Sequence, residues 1–557
     1  MRVRTVLCFF IFFAFFQSEA RGRTLQSSAG LVVADSEQAS KAGMAILERG
    51  GNAIDAAIAT AFALSVVDQA SSGLGGGGFM VLYRAKDKKA FALDFRETAP
   101  QASRRELYIK DGKAVPSLSL TGALAVAVPG EVAGLEEARK RFGTLSLAIL
   151  AAPAIKLAAE GFVVDPALRT AIERQQSNMK RFPDLGRIYM PRGEVPKDGD
   201  MIRQPQLAET LKAIAEKGSD VFYRGWIAEA IVEVIKKDGG LMTLDDLKEY
   251  RALWREPLVG SYRGRTVITM PPPSSGGVAI LEMLNVLEGY KLDQFQHNSA
   301  AYLHLIAETM KHAFADRAQF LGDPDFVHVP VRKLTAKSYA EWIRARISPD
   351  KTGQPTFYGY YNYNAEKGGT THFSVVDRFG NAVACTQSVN TRFGSKLVVP
   401  RTGIVLNNEM DDFALHSEVG NVYGLVGNEA NSLQPRKRPL SSMSPTIVLH
   451  GNRPELVIGA AGGPRIINAT LQTILNIVDF RMPVKAAVEA ERIHHQWLPD
   501  RLTVEAKIAS DQRKALEQRG HALREQGALG VVQAITVNGA AASGAADPRK
   551  TERARTE

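Results

Sequence analysis

Two hydroxyl residues, Thr370 and Ser388, fall by spacing on facing positions of one hairpin. The stretch Thr370-Thr371-His372-Phe373-Ser374-Val375-Val376-Asp377 alternates, and so does Asn381-Ala382-Val383-Ala384-Cys385-Thr386-Gln387-Ser388-Val389. Arg378-Phe379-Gly380 joins them, and three residues ending in glycine make a favoured hairpin connection. Asp377 then faces Asn381, and stepping outward Thr370 meets Ser388, with Cβ atoms about 4.5–5.5 Å apart. Asn390 lies on the same face, two residues on. A threonine at a chain start is a complete catalytic unit. Its α-amino group, with a pKa of about 8, accepts the hydroxyl proton near neutral pH, so nucleophile and base share one residue. Thr370 is internal, so this chemistry needs a cut between Gly369 and Thr370. Spacing alone does not demand that cut, because threonine is also an ordinary strand residue.

The elements that would carry this hairpin are legible from periodicity. Helices are expected over residues 36–51, 52–67 (capped by Asn52), 145–160 (interrupted at Pro153), 206–216, 226–237, 278–287, 300–321 and 468–479. Strands are expected over 79–83, 90–95, 371–377, 381–389, 403–406, 446–449 and 455–458. Residues 354–369, with Tyr358, Tyr360, Tyr361 and Tyr363 among Gly and Asn, have no apolar period and read as a loop. A strand-rich segment between helical ones points to a layered sandwich. Gly73-Leu74-Gly75-Gly76-Gly77-Gly78 satisfies a dinucleotide pattern but follows a helix and precedes a strand, the wrong order for that function. His416, His494 and His495 lack zinc spacing, and Ser441-Ser442 lacks a nucleophile elbow.

The 557 residues are 45% hydrophobic and 23% charged, as in an ordinary globular chain. Arg2 and Arg4, the apolar run 6–16 and Ser18-Glu19-Ala20 form the three-part pattern of a cleaved export signal over residues 1–20. No other segment reaches transmembrane length, so no stable membrane anchor is expected and the product would be periplasmic or secreted. Cys8 leaves with the signal, and Cys385 alone cannot form an internal disulfide. The net charge of +10 is dispersed. Its densest clusters, Arg436-Lys437-Arg438 and Arg549-Lys550 with Arg553 and Arg555, are not interleaved with aromatics, which argues against nucleic acid. Such a charge favours small anionic substrates near a pocket.

The motif Thr370-Thr371-His372-Phe373-Ser374-Val375-Val376-Asp377 resembles the signature of the γ-glutamyltranspeptidases, which are N-terminal nucleophile hydrolases. Asn407-Asn408-Glu409-Met410-Asp411-Asp412-Phe413, Arg438-Pro439-Leu440-Ser441-Ser442-Met443-Ser444-Pro445, Gly462-Gly463-Pro464-Arg465-Ile466 and His494-His495-Gln496-Trp497-Leu498-Pro499 are similar to that family too. Upstream, Gly50-Gly51-Asn52-Ala53-Ile54-Asp55, Asp94-Phe95-Arg96-Glu97 and Pro271-Pro272-Pro273-Ser274-Ser275-Gly276-Gly277 match as well, so the likeness runs from about residue 34 to 549.

The resemblance implies an α+β fold, a four-layer αββα sandwich built jointly by a large subunit (21–369) and a small subunit (370–557). Cleavage between Gly369 and Thr370 would come from attack of Thr370 on its own preceding carbonyl. The freed threonine would then take the γ-glutamyl group of glutathione or a related compound and pass it to water or to an amino acid or dipeptide acceptor. By position, Ser388 matches a threonine that contacts the nucleophile, and Gly462 and Gly463 match the oxyanion-hole pair. Arg96 matches the group that binds the α-carboxylate. Asn390, Glu409, Asp412, Ser441 and Ser442 match the rest of the substrate cradle. Residues 415–434 resemble a lid loop whose tyrosine, here Tyr423, closes over the site. Neither metal nor organic cofactor is implied. Pro464 departs from the serine common after the two glycines. Two other readings stay open: an acylase of the same fold acting on glutaryl-cephalosporins or poly-γ-glutamate, and an unprocessed protein that only binds glutamate-like ligands.

Overall fold

The computed structural model describes residues 24–111, 113–358, 369–415, 421–423, 425 and 429–551. The expected signal 1–20, Tyr360, Tyr361, Tyr363, His416, Arg553, Arg555 and part of the 415–434 lid lie outside the described residues. Two antiparallel sheets carry the architecture. Their strands, in chain order, are β1 (Thr24–Ser27), β2 (Gly30–Ala34), β3 (Gly77–Arg84), β4 (Lys89–Phe95), β5 (Leu253–Arg255), β6 (Leu258–Tyr262), β7 (Arg265–Thr269), β8 (Thr371–Asp377), β9 (Ala382–Ser388), β10 (Thr446–His450), β11 (Arg453–Ala461), β12 (Val531–Asn538) and β13 (Ala541–Ala546). The first sheet runs β1-β2-β8-β9-β3-β4-β5 and the second β6-β7-β10-β11-β12-β13.

Period-2 alternation puts the layers in order. Along β2, Val32 and Ala34 join the core shared with α1 (Glu37–Glu48) and α2 (Ala53–Val67), while Leu31 and Val33 turn to the second sheet. On β8, Phe373 and Val375 face the helices and Val376 the second sheet. The helices α3 (Leu147–Glu160), α4 (Pro205–Lys217) and α5 (Trp226–Lys237) add to the first outer layer. On the far side, α6 (Gly276–Leu287), α7 (Ala300–Phe320) and α8 (Arg465–Val478) cover the second sheet. This is the four-layer αββα sandwich. Every residue of β8 and β9 is buried, as expected of strands covered on both faces.

The local rules hold with few exceptions. Asn52 caps α2 by accepting from the Ile54 and Asp55 N–H groups. The helix expected to break at Pro153 runs through it from Leu147 to Glu160. Leu150, Ala151 and Ala154 are fully buried there, and this packing outweighs the lost hydrogen bond. The helix expected from residue 468 begins at Arg465, and Pro464 precedes it as the N-cap with its φ already preset near the helical value. The glycine run at 73–78 brings backbones together: a Cβ on Gly76 would sit 2.0 Å from the Ser388 carbonyl oxygen. That close approach lets β3 lie beside β9, where Gly77 pairs with Ser388.

Candidate active site

The hairpin has the register that its spacing predicts. Thr371 pairs with Gln387 and Val376 with Ala382, and Gly380 takes the left-handed position of the turn with φ +82°. The alternation therefore sends the Thr370 and Ser388 side chains toward the space between the sheets. Their hydroxyl oxygens are 3.3 Å apart. Thr370 Oγ1 lies 2.8 Å from the Gly369 carbonyl oxygen, to which Ser388 Oγ also donates at 3.0 Å. The Asn390 N–H donates to Ser388 Oγ at 2.7 Å and fixes the hydroxyl's direction. The Gly369 N–H donates to the Asn390 carbonyl at 2.6 Å, which pins the peptide before Thr370 against β9. Asn390 has φ +70°, a conformation asparagine tolerates better than most residues. Thus two hydroxyls converge on one backbone carbonyl in a buried setting.

A charged cluster lies in the same cavity. Arg96 follows β4 and is 1% exposed. Its guanidinium contacts Glu409 at 2.8 Å, Asp412 at 2.5 Å and Glu97 at 3.6 Å. Burial alone would lower the Arg96 pKa, but the charges of Glu409, Asp412 and Glu97 outweigh it and hold the guanidinium ionised. Burial pushes Glu97 up to about 8 against the pull of Arg96. It lifts Glu409 well above the usual carboxylate range as well. The Ser441-Ser442 loop closes another side. Ser275 holds it, donating from its N–H at 2.8 Å and its hydroxyl at 2.6 Å to the Ser441 carbonyl. Arg317 of α7 in turn donates to Ser275 Oγ at 2.9 Å. Sequence reading did not single out Ser275 or Arg317 as site supports.

Gly462 and Gly463 join β11 to α8, with φ +131° and +60°, values that favour glycine. They stand at the positive end of a 14-residue helix. Pro464 has φ −61° and leaves both glycine N–H groups in place. Tyr423 packs on Gly463: a Cβ there would lie 2.3 Å from its ring. The Tyr423 hydroxyl donates to the Asn390 carbonyl at 3.0 Å. The segment carrying Tyr423 is fastened by Asp411, which accepts from the Val422 N–H and from the Ser119 hydroxyl at 2.8 and 2.7 Å. Burial raises Asp411 to about 7, with those two bonds opposing. Its neighbour Asp412 accepts from Asn421 at 2.9 Å.

Arg96, Thr370, Ser388, Asn390, Glu409, Asp412, Tyr423, Ser441, Ser442 and Gly463 all line one cavity, and Gly462 adjoins it. The enclosed volume is about 20 Å³, room for about one water, so this is a closed arrangement. Among the described residues, one group could hold a metal: His304, Glu308 and His521 bring ligand atoms within 4.8 Å of one another. These atoms are engaged otherwise. His304 bonds His521 and the Ser348 carbonyl at 2.8 Å each, and Thr352 donates to Glu308 at 2.6 Å. Lys311, 3.3 Å from Glu308, already supplies the positive charge.

Residues 39–556 match the family profile described as Gamma-glutamyltranspeptidase. The chain is 43% identical over 536 residues to the glutathione hydrolase proenzyme of Escherichia coli strain K12, covering 95% of this chain and 92% of that protein. Among solved structures it resembles cephalosporin acylase from Bacillus halodurans, with a TM-score of 0.83 and 30% identity over 96% of this chain and 97% of that one. It also resembles γ-glutamyltranspeptidase from Helicobacter pylori, with a TM-score of 0.58 and 41% identity over 60% of this chain and 96% of that one. A match along nearly the whole length, arising together with a hairpin that pairs the Thr370 and Ser388 hydroxyls inside an αββα sandwich, leaves one assignment: the chain belongs to the γ-glutamyltranspeptidase family.

Proposed function

We infer that this chain is a precursor that cuts itself between Gly369 and Thr370 and then hydrolyses or transfers the γ-glutamyl group of glutathione and related compounds. The observation that carries the reading is the convergence of the Thr370 and Ser388 hydroxyls on the Gly369 carbonyl, beside the buried Arg96–Glu409–Asp412 cluster. In the first step Thr370 Oγ1 attacks the Gly369 carbonyl carbon while Ser388 stabilises the oxygen. The C–N bond breaks, the nitrogen keeps the proton from the hydroxyl, and water opens the resulting ester. The products are a large subunit (21–369) and a small one (370–557). The H. pylori chain supports this division, since 96% of it matches only 60% of this sequence, as a large fragment would.

The new α-amino group of Thr370 then serves as the base for its own hydroxyl. A γ-glutamyl substrate carries an α-carboxylate and an α-ammonium. Arg96 suits the carboxylate through paired hydrogen bonds, aided by Ser441 and Ser442. Glu409 and Asp412 take the ammonium, with Asn390 beside them. The substrate thus splits an ion pair that the empty-handed residues make with each other. Backbone N–H groups of Gly462 and Gly463 stabilise the tetrahedral oxyanion, each worth roughly 10²–10³ in rate. Tyr423 moves to admit substrate and then excludes water. Water or an amino acid or dipeptide amine resolves the ester on Thr370. Neither metal nor organic cofactor takes part. Export to the periplasm or beyond fits the leader 1–20, and no helix among the described residues is long and apolar enough to cross a membrane.

The test is turnover of glutathione and γ-glutamyl-p-nitroanilide by purified protein, with and without a dipeptide, beside glutaryl-cephalosporin and poly-γ-glutamate. The γ-glutamyl substrates are expected to be preferred, and Thr370→Ala to lose all turnover. A Thr370→Ala protein that still cleaves them would contradict the reading.

A further inference from the structure

A cavity of about 740 Å³ lies where the C-terminal half of α7 meets the short helix Lys337–Arg344. That volume is in the range of small-ligand pockets. None of its lining residues lines the cavity at Thr370. Five rings form its walls: Phe320, Tyr339, Trp342, Phe357 and Tyr358. Trp342 is 46% and Phe357 53% exposed, so two large apolar faces meet water at one place. Tyr339 and Trp342, three residues apart on the helix, stack with ring centres 5.5 Å apart and planes 12° from parallel.

The charges around these rings say what kind of molecule fits. The Arg346 guanidinium lies 3.4 Å from the Trp342 ring centre. The Lys333 ammonium lies 5.2 Å from that of Phe320 and 5.7 Å from that of Tyr339. Both cations are exposed, and among the described residues neither has a carboxylate partner. Asp316, the carboxyl group among the described lining residues, is already engaged. It accepts from the Tyr339 hydroxyl at 2.7 Å and hydrogen-bonds Glu282. Burial and the charge of Asp316 raise Glu282 well above the usual carboxylate range, so this pair shares a proton within the wall. His312 adds a second observation. It is 7% exposed, and its Nε2 has no hydrogen-bond partner. A buried polar atom left so is uncommon in a folded chain. Burial pushes the imidazole down to about 4, so at pH 7 it offers a hydrogen bond and no charge.

We propose that this cavity binds a planar aromatic anion, a ring carrying one carboxylate or sulfonate. The ring packs among the aromatic side chains, the anionic group meets Lys333 and Arg346 at the rim, and His312 gains its missing partner from the occupant. Bare aromatic walls would instead favour a cation, held over the ring faces. Here those faces already carry Lys333 and Arg346, which repel a further cation. The site takes no part in the chemistry at Thr370, and it stands or falls separately from the γ-glutamyl reading.

Three compounds with one ring system test it: indole-3-acetate, its neutral amide, and the cation tryptamine, each titrated by calorimetry into the purified protein. Indole-3-acetate is expected to bind with a Kd of about 1 mM or tighter. Tryptamine should bind at least about tenfold more weakly. Replacing both cations, Lys333→Gln with Arg346→Gln, should lower the affinity for indole-3-acetate about three- to tenfold, to that of the amide. Trp342→Ala should weaken the acid and the amide alike. All three side chains are exposed, so these substitutions leave the core intact. Absence of binding up to about 10 mM, or tryptamine binding as well as the acid, overturns the proposal. So does binding of the acid that both the double variant and Trp342→Ala leave unchanged, since that binding lies elsewhere.

Discussion

At the residue scale, the account turns on which hydroxyl does what at the Gly369 carbonyl. In the proposed cut Thr370 supplies the attacking oxygen, and Ser388 is the donor to the carbonyl that would become negative, at 3.0 Å. Removing one such donor costs about 10²–10³ in rate. Ser388→Ala is therefore expected to slow self-cleavage by that factor, read from the appearance of two fragments on a denaturing gel, and Ser388→Thr to preserve it. Arg96 gives a different kind of prediction. It neutralises Glu409 and Asp412 while 1% exposed, and breaking a buried pair from one side leaves uncompensated charge. Arg96→Met, made in the uncleaved Thr370→Ala chain, should lose about 3–5 kcal/mol in urea unfolding. The Thr370–Ser388 pair was legible in the sequence because a period of two and a glycine-ended turn fix a register without tertiary information. The contact of Arg96 with Asp412 was not, because 316 positions separate them and neither stands in a periodic element. Resemblance placed both residues in the substrate cradle without pairing them, and the contact is seen only in the fold.

At the element scale, the site is made by elements that end at it. β8 begins one residue after Thr370, β9 ends at Ser388, and α8 begins just past the glycine pair. The segment carrying Val422 and Tyr423 is tied to this frame through Asp411, which stands in no periodic element of the sequence. Only the fold shows Asp411 buried, accepting from Val422 and Ser119. Its pKa, raised to about 7, has a definite consequence. An unfolded aspartate titrates near about 3.9. Between about pH 4 and pH 7 the folded chain keeps a proton here that the unfolded chain has lost, so stability falls as pH rises through that window. Asp411→Asn removes this contribution. Its Tm should therefore drop less than that of wild type between pH 5 and pH 7.5, and equal drops would show that Asp411 titrates normally. The glycine run before β3 was rejected as a nucleotide motif on element order, but its use, backbone contact with β9 at Gly76, needed the sheet to be seen.

At the scale of the whole molecule, the proposed cut divides a sheet without opening it. β8 and β9 lie between β2 and β3, so the two pieces alternate within one hydrogen-bonded ladder. Lys550, near the chain's end, reaches back to Asp68 and to the Asp35 carbonyl at 2.8 Å each. The pieces should thus co-elute as one species in native buffer and separate only in denaturant; separation in native buffer would contradict this interleaving. The layered class was readable from the order of helical and strand-rich segments, but which strands neighbour which was not, since β2 pairs with β8 across the length of the large piece. Dispersed basic residues likewise gave no hint that Arg465, Arg501 and Arg524 line one cavity.

The most direct measurement of the central claim is the intact mass of the purified wild-type and Thr370→Ala proteins under denaturing conditions. The account predicts two wild-type masses, the smaller that of residues 370–557 with threonine at its N-terminus, and a single uncut mass for Thr370→Ala. A single uncut wild-type chain that turns over γ-glutamyl substrates, or a Thr370→Ala chain that still divides after Gly369, would contradict it.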